Sequence, residues 1–203
     1  MVGRLAVGNL FIVRHGETVA NEDELDAGPI DYPLDKKGLK DVSFIAEELS
    51  GCKISAVYCS PVFRAVETAK IVAHPHKLKP KALEELTEAR LKPEFIGKVG
   101  RLHLLTTPYA FEETYNQVQK RMLKAVSIIK KEGDGNAIVV SHGDPIVSLL
   151  NHVVGKKIFR KRSYYSLHPD AASLSIVSLK GRPTLVLFNY HRKLLREYRS
   201  SPA

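Results

Sequence analysis

Three apolar runs, each breaking abruptly into polar residues suited to chemistry, constrain what this chain can fold into more than any other feature. Leu10-Phe11-Ile12-Val13 runs into Arg14-His15-Gly16-Glu17-Thr18. Ala56-Val57-Tyr58-Cys59 runs into Ser60-Pro61 and then Arg64, and Ala137-Ile138-Val139-Val140 into Ser141-His142-Gly143. Short apolar runs bounded by turn-prone residues read as buried strands, and strands buried on both faces belong to mostly parallel sheets covered by helices. In open α/β sheets, ligands bind outside the carboxyl ends of the strands. Three such ends are therefore expected to gather Arg14, His15, Arg64 and His142 in one crevice.

The segments between these runs fit helices and connections. Gly28-Pro29-Ile30-Asp31-Tyr32-Pro33-Leu34-Asp35 is punctuated like a surface loop. From Gly38 to Leu49, Leu39, Val42, Ile45, Ala46 and Leu49 recur at helical spacing, which predicts a helix with one buried face ending at Gly51. Ile54 to Cys59 is the second strand. Ser60 followed by Pro61 reads as a helix start, with Ser as cap and Pro at the first helical position, and puts Arg64 in the first turn, where free N–H groups favour an anion. Lys77 to Thr107 is broken by Pro80, Pro93, Gly97 and Gly100 and reads as a loop-rich excursion over the sheet. Phe111 to Lys131 and Asp144 to Val154 read as helices; Ser173 to Leu179 and Thr184 to Asn189 read as strands joined by a Lys180-Gly181-Arg182-Pro183 turn. The expected architecture is a three-layer α/β/α sandwich with a mostly parallel central sheet.

With 203 residues and 44% hydrophobic composition, the chain suits one well-filled core, so a single domain over 1–203 is expected. Met1-Val2-Gly3-Arg4-Leu5-Ala6-Val7 lacks the apolar stretch of a signal peptide, and no run approaches the roughly 20 residues that span a bilayer. The expectation is a cytoplasmic protein without a membrane partner. Cys52 and Cys59 make neither a disulfide framework nor a metal site, and belong to the core or its edge. The histidines at 74, 76, 103, 152, 168 and 191 show no metal-ligand spacing and read as structural or exposed. A formal charge of +9 attracts anions in general. Its densest runs, Lys156 to Arg162 and His191 to Arg199, read first as solvated faces, and no nucleic-acid motif accompanies them.

A histidine can act as a covalent nucleophile on phosphorus, and the group it accepts must be held by donors that match its oxygens. The planar forks of Arg14 and Arg64 suit that task, with His142 adding further hydrogen bonds. A carboxylic acid with a raised pKa must then protonate the leaving oxygen. Glu17 either orients Arg14 or faces solvent; Arg64 has Glu67 as a neighbour one helical turn away. Arg90 and Lys92 are weaker candidates for a substrate carboxylate or distal phosphate.

Arg14-His15-Gly16-Glu17-Thr18 with Asn21, Pro33-Leu34 followed by Gly38, Ser60-Pro61-x-x-Arg64-x-x-Glu67-Thr68-Ala69, Leu86-Thr87-Glu88 and Ser141-His142-Gly143 occur in this order. Together they resemble the histidine phosphatase superfamily, also called phosphoglycerate mutase-like. The resemblance implies that His15 is the phosphorylated nucleophile, that Arg14, Arg64 and His142 hold the phosphoryl group, and that Glu88 is the proton donor. Asn21 and the backbone N–H of Gly143 would complete the phosphate pocket. It implies a small phosphorylated substrate and no metal or other cofactor, with 2,3-bisphosphoglycerate as primer only in a mutase.

Several positions depart from the family pattern. Leu25-Asp26-Ala27-Gly28 stands where many phosphatase members have Arg-x-Gln-Gly, Asp35 replaces the usual Thr, and the Gly-x-Trp-Glu-Gly pattern is absent downstream of Glu88. Glu84 and Glu85 are therefore alternative acids. The long insertion of familiar mutases is missing, which favours a compact phosphatase hydrolysing a small phosphomonoester. A phosphoglycerate mutase is the alternative, and a non-catalytic phospholigand- or nucleic-acid-binding protein on the same scaffold is a third reading.

Overall fold

The computed structural model of the chain describes residues 8–19, 32–97, 107–133, 135–155 and 167–192. Its strands are β1 (Asn9–Arg14), β2 (Ile54–Cys59), β3 (Lys81–Ala82), β4 (Asn136–Ser141), β5 (Leu174–Ser178) and β6 (Thr184–Tyr190). They form one sheet in the order β3-β2-β4-β1-β5-β6. The pairings β2·β3, β2·β4 and β1·β4 are parallel, while β5 runs antiparallel to both β1 and β6. The predicted final hairpin is thus the antiparallel side of a mostly parallel sheet.

Four α-helices cover the sheet among the described residues: α1 (Lys36–Leu49), α2 (Phe63–Ala73), α3 (Tyr115–Glu132) and α4 (Gly143–Val154). Alternation along the strands decides which helix meets which face. Phe11 and Val13 of β1 and Ile138 and Val140 of β4 pack with Val42, Ile45 and Leu49 of α1 and with Ala65, Ala69 and Val72 of α2. Leu10, Ile12, Ala137 and Val139 point the other way, onto Met122, Ala125 and Ile129 of α3 and Ile146, Leu149 and Leu150 of α4. Each central strand therefore buries both faces, which is why these strands are continuously apolar rather than alternating. The result is the expected three-layer sandwich. Cys59 lies in the first of these cores, where burial pushes its thiol up to about 11.

Two helix starts differ from the sequence reading. Helix α2 begins at Phe63, with Val62 as a cap that makes no side-chain bond. Val62 is extended (φ -66°, ψ 136°), so the helix starts three residues beyond Ser60, whose N–H donates to the Val140 carbonyl at 3.0 Å. The Ser60 hydroxyl accepts the Val62 N–H at 3.3 Å, closing the turn that carries the chain out of β2. Helix α3 begins at Tyr115 rather than Phe111, behind a capping box of Thr114 and Gln117. Phe111 instead bridges Leu91, and the Glu112 N–H goes to the Arg90 carbonyl, so these residues still belong to the excursion over the sheet. Within that excursion the described residues form short 3-10 turns at Glu84–Leu86, Pro93–Phe95 and Pro108–Ala110. A small apolar cluster of Ala89, Leu91, Ala110, Phe111 and Val118 anchors it.

Candidate active site

Parallel pairing of β1 with β4 sets Arg14 opposite Ser141, so the next residue of each strand, His15 and His142, emerges at the same edge. Their ring centroids lie 5.0 Å apart, with the planes inclined at 61°. The backbone of His15 is held on both sides: its N–H donates to the Ser141 carbonyl at 3.0 Å, and its carbonyl accepts the Ala172 N–H at 3.0 Å. Arg64, on the first turn of α2, brings its Nε to 3.4 Å from His15 Nε2 and its Nη2 to 3.4 Å from His142 Nδ1. The three side chains are nearly sealed from solvent, at 4%, 0% and 4% exposure for His15, His142 and Arg64.

The two imidazoles hold opposite tautomers, as the hydrogen-bond roles require. His15 Nδ1 lies 2.8 Å from the Gly16 carbonyl oxygen, which only accepts, so Nδ1 carries the hydrogen and the unprotonated Nε2 accepts the Arg64 Nε–H at 3.4 Å. At His142 the neighbour of Nδ1 is a guanidinium, which only donates, so Nδ1 accepts and the hydrogen sits on Nε2. Burial, with Arg64 and Arg14 nearby, drives the His15 pKa well below its ordinary value. Burial, Arg64 and then His15 do the same to His142. Both rings are therefore neutral at pH 7. One presents a lone pair and the other a donor.

Arg14 is tethered through Nη1, which donates to the Pro169 carbonyl at 2.7 Å. Arg14 Nε and His142 Nε2 are buried without a hydrogen-bond partner among the described residues. Unpaired buried donors are costly, and two beside an unprotonated imidazole nitrogen make a place for an anion with several acceptor oxygens. Gly143 opens α4, so its N–H is one of the helix's free N-terminal donors. A side chain there would strike His168, whose Nε2 lies 2.6 Å from where a Cβ would sit. His168, read from sequence as structural or exposed, packs against this helix end.

The Leu86-Thr87-Glu88 stretch is tied to the same edge: the Ser141 hydroxyl donates to the Leu86 carbonyl at 2.7 Å. Glu88 is half-buried, and its Oε1 accepts the Ala89 N–H at 2.8 Å. Burial pushes its carboxyl up, opposed by that N–H and by the charges of Arg14, Arg64 and Arg121. Glu85 instead pairs with Lys124 at 2.8 Å, which holds its carboxyl low, and Glu84 is exposed. Glu88 thus has a carboxyl that burial pushes up within the field of the site arginines.

The remaining sequence candidates are placed elsewhere or lie beyond view. Glu17 pairs with Lys37, and Glu67 accepts the Leu34 N–H at 2.9 Å instead of pairing with Arg64. Arg90 is 70% exposed and faces Glu112 and Glu113 at 3.9 Å each. Asn21, His103, the 25–28 departure and the basic run 156–162 lie outside the described residues. Asp35, by contrast, explains itself: it caps α1 by accepting the Gly38 N–H at 2.6 Å, a role Asp fills as well as Thr.

Sequence reading missed three supports of the site. Thr68 is fully buried; its hydroxyl accepts the Gly16 N–H at 3.0 Å and donates to the Arg64 carbonyl at 2.8 Å, which locks the His15 loop to α2. Arg121 and Glu113 hold the Glu88 segment through side-chain bonds that span up to 36 residues. A capping box at Thr114 was the one local signal near them.

Comparison with known proteins identifies the family and the fold. The family model described as the histidine phosphatase superfamily, branch 1, matches residues 10–191. A 2,3-bisphosphoglycerate-dependent phosphoglycerate mutase of Methanosarcina mazei is 30% identical over 125 residues, which make up 58% of this chain but only 52% of that protein. A putative phosphoserine phosphatase 2 of Hydrogenobacter thermophilus is 21% identical over 199 residues, 89% of this chain and 94% of that one. The solved structure of YhfR from Bacillus stearothermophilus superposes with a TM-score of 0.73 at 26% identity, covering 88% of this chain and 94% of that one. Among the described residues, no helix is long and apolar enough to cross a membrane.

Proposed function

The chain belongs to the histidine phosphatase superfamily, and we propose that it hydrolyses a small phosphomonoester through phospho-His15. The observation that carries this reading is the bond from His15 Nδ1 to the Gly16 carbonyl, which leaves Nε2 unprotonated, with its lone pair facing the Arg64 Nε–H at 3.4 Å. In the first step the Nε2 lone pair attacks phosphorus and the bond from phosphorus to the ester oxygen breaks. Glu88, whose carboxyl burial pushes towards the protonated form, gives its proton to that oxygen and becomes a carboxylate. Arg14, Arg64, His142 Nε2–H and the Gly143 N–H hold the three remaining oxygens as charge redistributes. In the second step a water oxygen attacks phosphorus as its proton passes to the Glu88 carboxylate, the bond from phosphorus to His15 Nε2 breaks with the electron pair returning to nitrogen, and inorganic phosphate leaves. Asn21 is assigned to the phosphate pocket by family resemblance alone.

A mutase would use the same chemistry but return the phosphoryl group to substrate, with 2,3-bisphosphoglycerate as primer. The name of the Methanosarcina mazei relative favours that second reading. Phosphorus NMR of the protein with 3-phosphoglycerate, with and without a trace of the bisphosphate and with EDTA present, separates the two. Inorganic phosphate as product supports the hydrolase, whereas accumulation of 2-phosphoglycerate replaces it with the mutase. Neither reading calls for a metal, so activity is expected to survive EDTA; loss reversed by one added metal contradicts both.

A further inference from the structure

Glu88 sits on a segment with little regular structure, between the Glu84–Leu86 turn and the bridge at Leu91. One side chain from α3 fastens it. Arg121 Nη1 donates to the carbonyls of Glu85 at 3.0 Å and Thr87 at 2.6 Å, and Nη2 donates to the Glu88 carbonyl at 3.0 Å. Its Nε and Nη2 also bind the two carboxylate oxygens of Glu113 at 3.0 and 3.1 Å. Those bonds use all five N–H hydrogens that a guanidinium possesses. Glu113 in turn accepts the Arg90 N–H at 3.1 Å, so the backbone is gripped on both sides of Glu88. Both side chains are largely buried, at 16% exposure for Arg121 and 8% for Glu113.

A buried ion pair is weak evidence of stabilisation, because desolvation offsets much of the attraction. The target of this one is more telling: its bonds converge on the backbone around a single carboxylic acid. We propose that the Arg121–Glu113 pair is the positioning device for Glu88, holding its backbone so that the carboxyl meets the leaving oxygen. The proposal rests on the phosphohistidine reading above. With every donor committed, Arg121 acts through Glu88 and does not touch substrate. Lysine cannot replace it, having three donors on one nitrogen and no planar fork. The Arg121 charge is also one of those holding the Glu88 pKa down.

Rates of phosphohistidine formation with a series of phosphate esters of graded leaving-group pKa test the idea in wild type, Arg121→Lys, Arg121→Met and Glu113→Gln. Misplacement of the acid in Arg121→Lys is expected to slow an alkyl phosphate by roughly 10²-fold, the lower range for general-acid catalysis, and an activated aryl phosphate far less. The leaving-group dependence should steepen in Glu113→Gln as well, by a smaller amount. Arg121→Met should in addition move the alkaline limb of the pH profile upward, since a cation near Glu88 is gone. A purely structural role predicts equal slowing of all esters and an unshifted limb. Wild-type leaving-group dependence in both Arg121→Lys and Glu113→Gln overturns the proposal, and Glu113→Gln alone decides it if the arginine variants do not fold. Failure of wild type to form phospho-His15 sinks the catalytic reading and the clamp together; labelled wild type with unchanged variant slopes sinks the clamp alone.

Discussion

An imidazole whose Nδ1 hydrogen is committed to a carbonyl oxygen has its lone pair on Nε2, and His15 is held in that state by its own neighbour, Gly16. Because burial and two arginines drive its pKa down, the ring stays unprotonated as the pH falls below 6.5. The pH profile of phosphohistidine formation should therefore show no acid limb at the ordinary histidine pKa. Glu88 sets the other limb: its proton is needed, so activity is lost as the pH rises through its elevated pKa, and Glu88→Gln should remove that limb. Survival of the limb in Glu88→Gln would reassign the acid. His15→Ala should abolish labelling and turnover together, as read by phosphate incorporation and product release. The core of this site was legible because each member follows an apolar run or opens a helix. Arg121 and Glu113 were not legible, since what defines them is a set of bonds to backbone groups far away in sequence, carbonyls for Arg121 and the Arg90 N–H for Glu113.

Helix α1 shows how one element sets the position of the His15 loop. Its third residue, Gly38, lies so close to the loop that a Cβ there would fall 2.2 Å from the Glu17 carbonyl oxygen and 2.7 Å from its nitrogen. Backbone atoms cannot rotate out of the way as a side chain can. Replacing a helical glycine by alanine ordinarily stabilises by up to about 1 kcal/mol. Gly38→Ala should reverse that sign, costing roughly 1–3 kcal/mol through overpacking and lowering activity as the His15 loop shifts. Gly51, just past the end of the same helix, has open space around its hypothetical Cβ, so Gly51→Ala is the matched control and should stay within about 0.5 kcal/mol. Denaturant melts and initial rates of the two variants check the contrast; equal melts would show that the loop yields freely. The helix itself was plain in the spacing of Val42, Ile45 and Leu49, but close approach of two backbones leaves no mark beyond a glycine. Likewise, the Ser60-Pro61 signal placed the helix start too early, because Val62 stays extended and the helix begins only at Phe63.

For the whole molecule, two buried neutral histidines and one carboxyl with a raised pKa tie folding stability to pH in opposite senses. His15 and His142 have folded pKa values below their unfolded ones, so between those values the unfolded chain binds more protons and stability falls as the pH drops below about 6.5. Glu88 has a folded pKa above its unfolded one, so its contribution is complete below about 4.5 and disappears as the pH rises through the folded value. Where the windows overlap, the histidines outnumber the carboxyl. Each contributes a slope of at most about 1.4 kcal/mol per pH unit. Thermal melts from pH 7 to 5 should therefore show a steeper loss of stability in Glu88→Gln than in wild type, and a shallower one in His142→Asn. Sulfate tests whether the cluster is one anion site, since its charge is constant over this range. Bound among Arg14, Arg64 and the two rings, it would favour the imidazolium forms and raise their folded pKa values. Its stabilisation, relative to an Arg64→Ala protein that reports the general salt effect, should then grow as the pH falls. An increment that does not vary with pH would mean that sulfate binds away from both histidines, and that His15 and His142 do not share one phosphoryl pocket.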